Sequence, residues 1–309
     1  MGILTLFFIL FSLAFSTPKL VPPEWLYKHL NDKNIVILEF GNTQSYLLEG
    51  HIPGARLTEK EEWRVMNPKT GALVRKKVQE YENMFRKWGI NNDTNVVIYY
   101  KGNTKNEILG AVYAYWIFHL LGHENVGILD GGWSAWIKKG YPVSYDEPTV
   151  KKGNFKAQYN PYKEVNWEYV YKNIGKIPII DGRRPEFYFG IGKFPAAKKY
   201  GHIPCSVPFS WEWWVKKDEE TKKLYIEFPK YARDFLKNQG IKEKDEVILF
   251  CFGGTGAAFV YWVMDVVGYK GMRVYDASKR EWEYLNLPLN RYVWETFKDC
   301  RLDLVNPVK

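Results

Sequence analysis

The sequence predicts an α/β protein built as a tandem duplication, each half a mainly parallel sheet flanked by helices. Three observations predict it. Short apolar runs such as Ile35-Val36-Ile37-Leu38, Val96-Val97-Ile98-Tyr99 and Val247-Ile248-Leu249-Phe250 have the length and residue types of buried parallel strands. Helical patterns alternate with them, which implies parallel α/β layers. The same landmarks then recur at a fixed distance. Gly201-His202-Ile203-Pro204 lies 151 residues after Gly50-His51-Ile52-Pro53, and Val247 to Phe250 lies 151 after Val96 to Tyr99.

In order, the chain predicts a short amphipathic helix at Glu24–Leu30, a strand at Asn34–Phe40, a turn at Gly50–Ala55 and a loop at Met66–Gly71. A helix over Val78–Trp88 ends at Gly89, a residue suited to a helix C-terminus. The strand at Val96–Tyr99, the aromatic-rich helix at Ala111–Leu121, the strand at Val126–Leu129 and the helix at Trp133–Lys139 complete the first half. Past the central strand the offset falls to 146 (Gly122 to Gly268, Asp130 to Asp276, Trp136 to Trp282). The first half should therefore hold five more residues in the loop after that strand. Upstream the offset is 142 (Glu39 to Asp181), so the second half has nine extra residues within Phe189–Tyr200. The domains read as a secretory leader at 1–16, a first domain at 17–145, a linker at 146–160 and a second domain at 161–309.

The chain has 309 residues, 46% hydrophobic and 26% charged, enough for two cores. Its net charge of +9 favours small anionic partners. The lysines are scattered, with no dense basic run among aromatics, so nucleic acid is not expected. The Lys216–Lys223 run mixes both signs and reads as a solvated, hairpin-like loop. Residues Ile3–Phe11 are apolar, and Ala14-Phe15-Ser16 suits cleavage before Thr17. An exported protein, periplasmic or secreted, is expected, with no stable membrane span once the leader is removed; an uncleaved anchor is the alternative. The three cysteines, Cys205, Cys251 and Cys300, match no zinc spacing. An odd number leaves a free thiol, and a Cys205–Cys300 disulfide is open to the other two. His119 and His123 have helical spacing but no third ligand nearby, and they read as a helix-end pair. No metal or cofactor is called for.

The chemistry concentrates at Cys251. It follows a buried strand and opens the short loop Phe252-Gly253-Gly254-Thr255-Gly256, after which Ala257–Val267 reads as a helix. Sites in open α/β sheets form at the carboxyl ends of strands. The N–H groups of Phe252 to Gly256 and the following helix N-terminus can stabilise an anionic sulfur there. Cys251 is thus a candidate nucleophile, and the repeat aligns it with Tyr100, so only one half can be catalytic. Asp181 and Arg183 are candidate supporting and substrate-anion residues, or a structural ion pair. Arg184 is a second candidate.

The ordered set Gly50–Ala55, Leu129–Trp136, Asp181-Gly182-Arg183, Gly201–Pro204, the strand-Cys251-loop-helix unit and Arg273–Ser278 with Glu281-Trp282 resembles the two-domain rhodanese (thiosulfate/3-mercaptopyruvate sulfurtransferase) family. The resemblance implies tandem rhodanese-like domains, the first inactive and the second catalytic. It implies transfer of sulfane sulfur from thiosulfate to cyanide or a thiol through a Cys251 persulfide, with 3-mercaptopyruvate as the alternative donor. A protein acceptor, or a non-catalytic sulfur carrier, uses the same residues. The loop departs from the family patterns: Thr255 and Gly256 stand fifth and sixth where Thr or Arg usually stands sixth, and Glu186 precedes Phe187 where an anion-binding Arg often stands. Arg184 or a lysine among Lys193, Lys198 and Lys199 is expected to replace that Arg. A cysteine phosphatase would need an Arg six residues after the cysteine; that position is Ala257.

Overall fold

The structure, a computed structural model, describes residues 16–297 and 299–300; the leader assigned to residues 1–16 lies, save for Ser16, outside the described residues. In the first half the strands are β1 (Leu20–Val21), β2 (Ile35–Phe40), β3 (Ala55–Thr58), β4 (Arg64–Met66), β5 (Leu73–Arg75), β6 (Asn95–Tyr100) and β7 (Val126–Leu129). Its helices are α1 (Pro23–His29), α2 (Thr43–Leu48), α3 (Val78–Lys87), α4 (Lys105–Leu120) and α5 (Gly132–Lys138). The second half holds α6 (Trp167–Lys172), β8 (Ile179–Asp181), α7 (Pro185–Phe189), β9 (Ser206–Pro208), β10 (Val215–Lys217) and β11 (Leu224–Ile226). It continues with α8 (Ala232–Asn238), β12 (Glu246–Phe250), α9 (Thr255–Val266), β13 (Gly271–Val274) and α10 (Ser278–Tyr284).

The two sheets are parallel, ordered β1-β7-β6-β2-β3 and β13-β12-β8-β9; among the described residues the second repeats the first with a single parallel bridge, Glu164 to Val274, in place of the edge strand β1. The central strands β6 and β12 are apolar on both faces because helices cover both faces of the sheet. Thr17 is buried and its hydroxyl donates to Asn95 Oδ1 at 3.0 Å, so the chain is packed from its second described residue.

Four of the five residues that distinguish the halves lie in the helix and not in the loop. Residues 101–104 and 251–254 are strand-end loops of equal length, and α4 runs 16 residues against 12 for α9. The added turn, residues 105–108, carries Lys105, Asn106 and Glu107 and extends a helix that from Ile108 on is largely buried between its own sheet and α9. One hydrophobic cluster runs through both helices and joins the halves. Polar groups pair across this junction: Tyr115 donates to Asp265 at 2.7 Å, Lys19 to Asp265 at 2.5 Å, and His119 Nδ1 lies 3.1 Å from the Tyr261 hydroxyl. Burial pushes His119 down to about 3 and His123 to about 4, which keeps both neutral.

Residues 146–160 contain neither helix nor strand but are not loose. The N–H groups of Gly153, Phe155, Gln158 and Asn160 donate to carbonyls of Arg86, Ile90, Leu121 and Leu120 at 2.8–3.1 Å, and Phe155 is fully buried. The connection is strapped along the first half.

Each half also reaches over the other with an antiparallel hairpin. β4–β5 of the first half places Ala72 in the second half's apolar cluster, and its Arg75 N–H donates to Asp276 Oδ2 at 2.6 Å. β10–β11 of the second half returns the contact: Leu224 N–H donates to Gly102 O at 2.7 Å and Ile226 N–H to the Tyr100 hydroxyl at 2.9 Å. The charged run at 216–223 is therefore a docked hairpin. Asp218 accepts from Lys138 at 2.8 Å and Lys223 donates to Glu49 at 2.6 Å, both across the domain boundary.

The matched turns are stacked alike. His51 lies on Tyr46 with ring centroids 3.9 Å apart, and His202 on Tyr188 at 3.7 Å. Gly54 (φ 78°) and Cys205 (φ 63°) hold the same left-handed position, where a non-glycine residue costs about 1–2 kcal/mol. Cys205 is bonded to Cys300, which ties the tail to this turn, and its N–H donates to Glu295 at 3.0 Å.

At the end of β2 the buried Glu39 lies 3.8 Å from the equally buried Lys101. Burial raises the Glu39 carboxyl from 4.5 to about 7, against the pull of Lys101 and Tyr99. Between these values the native chain holds a proton that the unfolded chain has released, so this group's contribution to stability falls as pH rises from 4.5 to about 7. Glu39→Gln should remove that fall and gain up to about 3 kcal/mol over wild type across the window, read from urea midpoints. Parallel pH dependence in both proteins would refute the assignment.

Candidate active site

Cys251 is the residue immediately after β12, at the carboxyl end of the second sheet's central strand. It is the free cysteine among the described residues, 5% exposed, at the floor of a cleft of about 360 Å³ between the halves. The loop 251–254 is held from below by Ser278, whose φ of 53° is unusual for a residue with a Cβ. Its hydroxyl accepts from Cys251 N–H (3.1 Å) and Gly254 N–H (3.2 Å) and donates to Tyr275 O (2.8 Å). Strain of this kind persists where surrounding contacts over-determine a functional conformation. Two further bonds, Lys279 N–H to Cys251 O at 3.1 Å and Arg280 N–H to Phe252 O at 3.0 Å, fasten the loop to the start of α10.

Gly254 N–H also points at sulfur, 3.1 Å from Cys251 Sγ. Of the donors expected from Phe252 to Gly256, this is the one that reaches Sγ. Gly254 (φ 90°) caps α9, and its carbonyl accepts the Ala258 N–H at 2.9 Å. Gly256 is required for a different reason: a Cβ there would meet Trp211 Cδ1 at 2.8 Å. Phe252, Gly253 and Thr255 line the cleft beside Cys251. Ala257 is fully buried within α9, so no side chain six residues after the cysteine faces an anion.

Arg183 lines the cleft, but its guanidinium is engaged. It donates to both carboxylate oxygens of Asp181 (2.5–3.0 Å) and to Gly201 O (2.9 Å). Of the two roles read for this pair, the geometry is that of a bracing ion pair tying β8 to the turn before β9. Arg184 is half exposed at the rim, 2.6 Å from Glu186. Lys193, Lys198 and Lys199 do not line the cleft; Phe194, from the same inserted segment, does, stacked on Phe252 at 4.6 Å.

The sequence pattern missed the other wall. Lys60, Arg64, Leu73, Lys105, Asn106 and Leu109 all come from the first half. Arg64 lies over the Tyr113 ring at 4.8 Å, donates to Leu73 O and Gly253 O, and lies 3.5 Å from Asp276 Oδ1. Burial opposes its charge, yet Tyr113, Asp276 and Cys251 together hold it above the usual guanidinium range. Burial likewise pushes the Asp276 carboxyl up, against Arg64, the Arg75 N–H and Tyr113. Lys105 and Asn106 sit on the added turn of α4. Arg280 completes the cation set from the second half. No local signal marks Arg64, because its role exists only after β4 crosses the boundary. Ser278 lay inside a recognised motif, and its φ could not be read there.

Two neighbouring glycines test the loop. Gly254→Ala places a Cβ 2.2 Å from Asp276 Oδ1 at positive φ, whereas a Cβ on Gly253 meets nothing within 4 Å. Gly254→Ala should lower stability by about 2–3 kcal/mol and change the rate of Cys251 alkylation by iodoacetamide. Gly253→Ala should stay within about 0.5 kcal/mol of wild type. Equal stability losses in urea would contradict this geometry.

Comparison with known proteins agrees with the fold and its duplication. The family described as Rhodanese-like domain matches residues 22–139 and 166–284. "Sulfur carrier protein TtuD" of Thermus thermophilus is 27% identical over 85% of this chain and 93% of its own length. A Haloferax volcanii protein named "Putative thiosulfate sulfurtransferase" is 29% identical over 85% of this chain and 92% of its own. The crystal structure of SseA from Escherichia coli, titled for 3-mercaptopyruvate sulfotransferases, superposes with a TM-score of 0.68 at 24% identity, covering 85% of this chain and 99% of that one. YnjE superposes at 0.75 with 21% identity, over 91% of this chain and 70% of that one. With both halves matched by the same family, the chain belongs to the rhodanese-like domain family and carries two copies of the domain.

Proposed function

We propose that this protein is a sulfurtransferase that carries sulfane sulfur on Cys251 as a persulfide. The observation that supports this best is a free thiol at the end of β12, with an amide N–H on its sulfur, at the floor of a cleft lined by six Lys and Arg side chains. Thiosulfate is the donor we favour, and the relatives named for it support that reading. Cys251 Sγ attacks the outer sulfur of thiosulfate, an S–S bond forms, and sulfite leaves with the electron pair of the old bond. Gly254 N–H and the α9 N-terminus stabilise the anionic sulfur. Cyanide or a thiolate, of a small molecule or a protein, then attacks the outer sulfur and returns Cys251 to its starting state. 3-Mercaptopyruvate is the alternative donor. The relative named as a sulfur carrier favours a second reading, in which Cys251 takes up sulfur and hands it to one protein partner.

With thiosulfate and cyanide, the wild-type protein should form thiocyanate, and Cys251→Ser should form none. Thiosulfate alone should leave an adduct of about +32 Da on Cys251 by mass spectrometry. Activity retained by Cys251→Ser would sink the mechanism. An adduct that neither cyanide nor thiols remove would favour the carrier reading.

We further propose export to an oxidising compartment, periplasmic or extracellular. The leader pattern of residues 1–16 and the Cys205–Cys300 bond support it, since such bonds persist outside the reducing cytosol. The mature protein should begin at Thr17 when its N-terminus is sequenced; a chain retaining Met1 would refute cleavage.

A further inference from the structure

The link between α7 and β9, residues 190–205, is longer than its counterpart at 49–54 in the first half. It lies beside the tail that Cys300 ties to Cys205. Arg291 Nε donates to Gly190 O at 2.8 Å, and Tyr292 N–H donates to Phe189 O at 2.9 Å. Link and tail thus form one surface, on which cations and rings alternate. Lys193 lies over the Tyr200 ring at 5.5 Å, and Arg291 lies over Tyr200 at 4.4 Å and over Tyr292 at 4.3 Å.

The charge of this surface is not neutralised. Among the described residues neither Lys193, Arg291 nor the exposed Lys198 has a carboxylate partner. Three carboxylates nearby are engaged otherwise: Glu186 by Arg184, Glu283 by Lys279 and Glu295 by His202. Large apolar side chains stand among the cations. Ile191 is 66%, Tyr292 57% and Trp294 52% exposed, and Phe194 and Tyr200 are exposed as well. A contiguous patch of this kind marks a contact surface. Protein interfaces are depleted of lysine, whereas the link alone carries Lys193, Lys198 and Lys199. Single-stranded nucleic acid needs open ring faces on which bases stack, and Arg291 already lies on a face of both Tyr200 and Tyr292. Tyrosine and tryptophan beside lysine and arginine is the composition of a membrane–water interface, where rings sit at headgroup level and cations meet anionic lipid.

We propose that this surface docks the protein peripherally on an anionic lipid bilayer. Lys193, Lys198 and Arg291 meet the headgroup phosphates, and Ile191, Tyr292 and Trp294 enter the boundary between headgroups and acyl chains. The Cys205–Cys300 bond keeps the tail's share of the surface beside the link. Docking does not depend on the chemistry at Cys251.

The test is cosedimentation with vesicles of phosphatidylcholine alone and with vesicles in which about a third of the lipid is phosphatidylglycerol. The full chain and the chain from Thr17, which holds every described strand and helix, are measured in parallel, so that the leader's own affinity is read separately. The chain from Thr17 should bind the anionic vesicles at least about tenfold more strongly, and raising the salt from about 0.1 to about 1 M should remove most of that gain. Lys193→Gln and Lys198→Gln should each weaken anionic binding about fivefold. Ile191→Ser should weaken it about fivefold as well, by removing apolar area that enters the bilayer. The pair Lys242→Gln and Lys244→Gln removes two exposed charges just before β12, at the end of the strand away from Cys251, and should change binding less than about twofold. Urea midpoints equal to wild type should accompany all of these exposed substitutions. No preference for anionic vesicles in the chain from Thr17, or a loss in the Lys242 and Lys244 pair as large as in the surface variants, would overturn the proposal. Retention on soluble polyglutamate without vesicle binding would also overturn it, and would assign the surface to an acidic polypeptide.

Discussion

The exchange of hairpins between the halves is the constraint on which the rest of the structure depends. A strand-end loop in an open α/β sheet has amides and carbonyls directed away from its own sheet, and something must satisfy them. Here each half supplies that cover for the other. β10–β11 lies on the loop after Tyr100, and β4–β5 lies on the loop after Cys251. The α4–α9 contact places the two loops so that both hairpins reach, and a continuous core makes this an internal junction rather than a surface contact.

Symmetry of cover makes the chemical asymmetry sharper. In the first half Tyr100 is fully buried, its ring against Gly132 and its hydroxyl on Ile226 N–H. In the second half the same place holds a thiol, which lines the cleft. The first half is not thereby idle. Its helix α4 and the β4–β5 hairpin supply one wall of the cleft, including Arg64, which holds Gly253 O and the buried Asp276. The half without a cysteine at this position helps line the cleft of the half that has one.

The two halves also place their buried charges differently. The first half pairs Glu39 with Lys101 from the strand-end loop, and Lys101 lies over Trp133 at 3.7 Å. The second half pairs the matching Asp181 with Arg183 two residues on, which leaves its own strand-end loop free of a buried lysine. In place of Trp133 it has the buried Lys279, bonded to Lys199 O and Glu283 and pushed down to about 6, with burial the main cause. A loop freed of that internal ion pair can devote its amides to sulfur.

By itself the sequence determined the α/β class, the duplication, the central strands and the place of Cys251 at a strand end. These rest on local periodicity, on recurrence at constant offset, and on a thiol standing where the other copy has a ring. It also held the Asp181–Arg183 pair, two residues apart at a strand end. It misplaced four of the five additional residues, because the polar turn at 105–108 reads as loop until the rest of α4 packs against α9 and the helix extends through it. Only the tertiary structure decided which cations face Cys251. Arg64, Lys60 and Lys105 lie more than a hundred residues upstream and enter the site through the hairpin and helix contacts between halves, while Arg184 and the inserted lysines, closer in sequence, are drawn to the rim or away. Proximity to a cysteine is then a property of packing between two repeats, which no pattern within either repeat encodes.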